Sequence, residues 1–132
     1  MANSIQTYNS DHIIIDDDDL NYIIRMFLEE VESNPKRYHL LLDHTVLWND
    51  TVENYTVGCI RLELDKLPKD EMAIAQFRNL ISAADKRVDS FGDYIDADFL
   101  NENWSLSGVK HAGKYPVKDI RSAIDKLGKL LN

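Results

Sequence analysis

Apolar residues recur at Leu20, Ile23, Ile24, Phe27, Leu28 and Val31, the spacing of one face of an α-helix. Asp16 is placed to cap the first turn, with Ile15 before it and Leu20 after it set for a hydrophobic staple. Aspartates 17 to 19 follow the cap, where the helix dipole favours negative charge. The pattern predicts a helix over 17–33, ended by Pro35, which disfavours helix in the residue before it. Two further stripes have the same period. Ala73, Phe77, Leu80, Ile81, Ala84 and Val88 follow Pro68, Asp70 and Glu71, and Gly92 lies just beyond. Val117, Ile120, Ile124, Leu127 and Leu131 follow Pro116. These predict helices near 68–90 and 116–131.

Between the helices the period shortens. Ile5, Thr7 and residues 13–15 read as one or two short strands broken by Asn9, Ser10 and Asp11. The runs 38–42 and 45–48 are apolar and short, compatible with strands or with one buried helix. Their flanking Asp43-His44 and Asn49-Asp50 resemble turns, which favours strands. In 55–64, Ile60, Leu62 and Leu64 alternate with Cys59, Arg61 and Glu63, the signature of a strand with one wet face. Gly58 interrupts that run, as at a bulge or a close backbone approach. Tyr94-Ile95, Phe99-Leu100, Trp104 and Val109 suggest two more short strands. The expected fold is one α+β domain over 1–132, with an antiparallel sheet of about four to five strands covered on one face by the three helices.

Length and composition support such a domain: 132 residues, 44% hydrophobic and 29% charged, suit a soluble globule with its own core. One cysteine, Cys59, excludes an internal disulfide and a cysteine-based zinc site. The stretch 1–12 has neither the basic start nor the apolar run of a secretory signal, and no segment approaches the roughly 18 apolar residues of a membrane helix. Cytoplasmic residence is expected. The net charge is −8, with −7 concentrated in residues 1–34 and +4 in residues 105–132. Such a surface repels phosphate backbones and attracts basic proteins.

Little points to catalysis. His39 and His44 are five apart, which fits neither helical nor strand zinc ligation, and the four histidines are scattered. Asp93, Asp96 and Asp98 suggest a calcium loop, but counting from Asp96 the required glycine is Asn101 and the closing glutamate is Ser107. Cys59, inside an expected strand, reads as a small hydrophobe rather than a nucleophile. Seryl nucleophile and glycine-rich phosphate motifs are absent. The expectation is a non-enzyme without metal or cofactor. A small metal-dependent enzyme using Asp96, Asp98 and His111 is the remote alternative.

The stretches 93–99 and 101–104 mix acids with large aromatics, a composition that suits an interface of aromatic anchors and charged rim. The candidate partner-binding residues are Asp17, Asp18, Glu29, Asp93, Tyr94, Asp96, Asp98, Glu102 and Trp104. In size, in its acid-rich stretches 16–19, 29–30 and 93–102, and in its lack of catalytic motifs, the chain resembles bacterial immunity proteins, including those of contact-dependent growth inhibition systems. That resemblance is one of overall character and carries over no family residue. It implies a cytoplasmic, monomeric binder of a toxin domain, a nuclease foremost, since an acidic face plugs a basic nucleic-acid cleft. The expected order of helix, three strands, helix, two strands, helix also resembles the dimeric type III secretion chaperones. Neither resemblance involves membrane or direct nucleic-acid contact.

Overall fold

Asp16 closes a hairpin and opens the first helix in one step. Its carboxylate accepts hydrogen bonds from the Asp18 and Asp19 amides, satisfying two of the donors that a helix start leaves orphaned. The computed structural model describes residues 2–54, 57–105 and 111–132. Over these the chain is α+β, with five helices and four short strands. The strands β1 (Asn3–Tyr8) and β2 (Asp11–Asp16) form one antiparallel pair, and β3 (Tyr94–Ile95) and β4 (Tyr115–Pro116) form another. The helices are α1 (Asp17–Ser33), α2 (Leu42–Asn54), α3 (Glu71–Asp89), α4 (Ala97–Asn103) and α5 (Val117–Leu130).

The β1–β2 hairpin turns on Asn9 and Ser10, both at positive φ, the conformation whose twist matches paired strands. Pairing puts Ser4, Gln6 and Ile15 on the buried face and Ile5 and Ile14, directly opposite each other, on the outer face. Helix α1 is the hub. Beyond its apolar stripe, Asn21, Tyr22 and Met26 are also buried, because α1 packs against α2, α3 and α5 together. Phe27, Trp48 and Phe77 meet with ring centroids 5.5 to 6.0 Å apart, tying α1, α2 and α3 through tilted and edge-on contacts. Arg121 of α5 pairs with Asp89 of α3 at 2.6 Å and with Asp85 at 3.9 Å. Among the described residues no helix is long and apolar enough to cross a membrane.

The expected sheet of four to five strands is replaced by these two small pairs. Residues 38–48 are not strands: a 3₁₀ turn at His39–Leu41 runs into α2. In α2 the helical period turns His44, Trp48 and Val52 inward. Phe99 and Leu100 belong to α4, and Trp104 is its C-cap; Val109 lies outside the described residues. With α2 in place of strands, the element order that resembled secretion chaperones is not observed. The third helix begins at Glu71 behind an Asp70 cap rather than at Pro68.

Over residues 59–62 the alternation holds: Ile60 and Leu62 are buried while Cys59 and Arg61 are exposed. The strand expected over 55–64 nonetheless has no ladder; Tyr55 and Thr56 lie outside the described residues. Side chains take the ladder's place. The Gly58 amide donates to Asp17 Oδ2, and the Ile60 amide to Ser4 Oγ. The Gln6 amide group spans two positions, donating to the Ile60 carbonyl at 2.6 Å and accepting from the Leu62 amide at 2.8 Å. Trp48 Nε1 donates to the Leu62 carbonyl, and His44 Nε2 to the Glu63 carbonyl. Gly58 is no bulge but a turn at φ +79°, where an L side chain is strained.

Gln6→Leu removes both partners of a buried backbone stretch and is expected to destabilise by about 1–3 kcal/mol for each orphaned group. Ile5→Thr, one residue away on the outer face, is expected to stay within about 0.5 kcal/mol. Urea denaturation of the two variants checks the contrast. Equal midpoints would mean that the Gln6 bridge carries no stability.

Candidate protein-binding surface

The acids singled out in the sequence fall into two populations. Those around α1 are built into the fold. Asp17 is buried and accepts from Ser4 Oγ at 2.5 Å and from the Gly58 amide at 2.7 Å. Glu29, though exposed, accepts from Trp104 Nε1 at 3.0 Å and pairs with Arg87 at 3.8 Å. Asp18 is half-buried. Burial raises its pKa first and Asp16 next, with His111 acting in the opposite direction.

Asp19 completes this group. It is buried and accepts from the Tyr115 hydroxyl at 2.5 Å, fastening the start of α1 to β4. Burial pushes its pKa up to about 6 against the relief given by the Tyr115 bond, with Asp16, Asp119 and Asp18 adding repulsion. The Tyr115 phenol is in turn pushed far up, by burial and then by the bond to Asp19. Tyr22 hydrogen-bonds His111 Nε2 at 2.9 Å and packs edge-on against Tyr115.

The second population lies around α4. Asp93, Asp96, Asp98 and Glu102 are all exposed. Among the described residues none of the four side chains forms a hydrogen bond or ion pair; even Asp96, the N-cap of α4, leaves its carboxylate out of the cap. Asp98 gains from the dipole in the first turn, roughly 0.3–1 kcal/mol. Tyr94 is exposed beside them, its ring 4.2 Å from the Lys114 ammonium.

Beneath these acids is an aromatic floor. Trp104 is buried, meets Phe91 and Phe99 edge-on, and stacks with Tyr22 at 6.0 Å. The Arg87 guanidinium covers it, 4.7 Å from the Phe91 centroid. Asn101 grips the main chain of His111 through both its amide atoms, holding the far side. Trp104 therefore supports the surface instead of meeting a partner, and Asp17 is a structural tie. Of the nine residues proposed from sequence, Asp93, Tyr94, Asp96, Asp98 and Glu102 form one exposed group on β3 and α4.

Other chemistry is sparse. Cys59, expected inside a strand, is exposed on the extended segment. His44 is spent on the Glu63 carbonyl. Among the described residues no group of three or more histidine, cysteine or acidic side chains is placed to hold a metal ion. No family model matches the chain, and no curated protein or solved structure is significantly similar to it.

Asp19 makes a pH prediction. Its pKa rises on folding from 3.8 to about 6, so the folded state binds the proton more tightly. The stability this contributes is complete below pH 4 and is lost as pH rises through 6. Asp19→Asn keeps an acceptor for Tyr115 without the charge. It is expected to melt a few degrees above the parent at pH 7.5 and level with it at pH 4. A parent protein equally or more stable at pH 7.5 would refute the assignment.

Proposed function

We propose that this chain is a protein-binding module of the immunity type, which neutralises a toxin domain by laying the acidic face of β3 and α4 over a basic site. One observation carries the reading: Asp93, Asp96, Asp98 and Glu102 sit exposed on and beside β3 and α4 without partners among the described residues, whereas Asp17, Asp19 and Glu29 of α1 are committed to the fold. Structural need accounts for the acids of α1 and not for those around α4.

The partner follows from that chemistry. A cluster of unneutralised carboxylates speeds encounter with a cationic surface and selects against an anionic one. A nuclease domain must keep its cleft basic to hold phosphates, so it supplies such a surface. Tyr94 adds an amphipathic contact of the kind that anchors interfaces. The module works by occupancy, from the cytoplasm, and performs no reaction.

Co-expression with the product of a neighbouring toxin gene is expected to yield a stable complex and restore growth. The double reversal Asp96→Lys/Asp98→Lys is expected to leave the melting temperature nearly unchanged, since neither side chain makes a hydrogen bond or ion pair among the described residues and only the small dipole contribution of Asp98 is lost. It should weaken the complex by at least about tenfold, or 1.4 kcal/mol. Unaltered affinity in that variant would assign the interface elsewhere. Absence of both complex and rescue would remove the immunity reading itself.

A further inference from the structure

Helix α2 turns an unusual face outward. Leu42, Val46 and Leu47 are 42%, 68% and 43% exposed within six residues, whereas Trp48 and Val52 already fill the inward side. At 100° per residue, Leu42, Val46 and Glu53 fall in one outer row, and Asp43, Leu47 and Asp50 in the next. The face is thus half aliphatic and half acidic, and no lysine or arginine occurs anywhere in Leu42–Asn54. Single exposed aliphatics are ordinary, but three together on one helix face mark a contact surface.

We infer that this face is a second docking site, and that its occupant is a basic amphipathic helix of another protein. Charge decides the occupant. A second copy would bring the three acids of one α2 against the three of the other with no cation between them, which disfavours self-association. A helix with leucine-like side chains along one face and lysine or arginine flanking them meets both the aliphatic rows and the acids between. The inference does not rest on the acidic face of β3 and α4.

The test uses the full chain and a synthetic leucine–lysine peptide with helical amphipathic spacing, alongside a scrambled peptide of identical composition. Heteronuclear NMR is expected to place the shifted amides on 42–53, with affinity falling as salt rises and the scrambled peptide binding far more weakly. Val46→Ser/Leu47→Ser alters only exposed side chains and is expected to lose at least about tenfold in affinity. Asp43→Asn/Asp50→Asn is expected to flatten the salt dependence. Asp96→Lys/Asp98→Lys is expected to leave this peptide's binding unchanged, which separates the site from the proposed toxin contact. Equal binding of the scrambled peptide, shifts confined to other surfaces, or undiminished affinity in the serine variant would each overturn the inference. So would self-association that the serine variant abolishes, since the occupant would then be a second copy.

Discussion

Residues 58–63 run beside β1 without a backbone ladder to it, yet their backbone is too deeply placed to be left to water. Ile60 and Leu62 are buried, and each buried amide or carbonyl left unpaired costs about 1–3 kcal/mol. Five side chains from three elements resolve this: Ser4 and Gln6 from β1, Asp17 from α1, and His44 and Trp48 from α2. The arrangement fixes more than the segment. It sets the hairpin against the start of α1 and holds α2 at its distance. The polar residues on the inner face of β1 are therefore as structural as the aliphatics of α1.

That constraint also divides the fold into what a sequence reader sees and what escapes. The helix of Asp17–Ser33, its Asp16 cap and the Asn9-Ser10 hairpin are local, and each was legible from spacing and turn chemistry. The alternation of 59–64 was legible too, but its partners were not. Ser4 and Gln6 look like surface residues, and nothing in a chain order more than 50 residues apart announces that Gln6 stands in for a strand. Helix α2 escaped for the opposite reason. Its outward Leu42, Val46 and Leu47 blur the helical period, so an amphipathic helix reads as two apolar strands.

The candidate surface shows the same division. Asp17 and Asp93 are indistinguishable as letters in an acidic chain. Only the approach of Ser4 Oγ and the Gly58 amide makes one a tie, and only its absence of such neighbours leaves the other at the surface. Trp104 is buried against Glu29, and an indole beside a glutamate in space cannot be read from 75 residues of separation. Exposure of Tyr94, set against burial of Ile95, followed from strand alternation and was within reach.

The cations complete the logic of the surface. Arg121 is engaged by Asp85 and Asp89, Arg87 by Glu29 and the rings around Phe91, Arg78 by the Leu131 carbonyl, and Arg25 by the Ser105 carbonyl. Each joins two elements. Individually such contacts contribute little, but together they draw guanidinium groups inward toward the seams between helices. These four guanidinium groups are thereby withdrawn from the acids at 93–102, beside which the Lys114 ammonium lies over Tyr94. An acidic protein that needed only solubility could scatter its carboxylates among its lysines and arginines. Here four of the six arginines are assigned to the joints, and the acids at 93–102 and along α2 stay exposed.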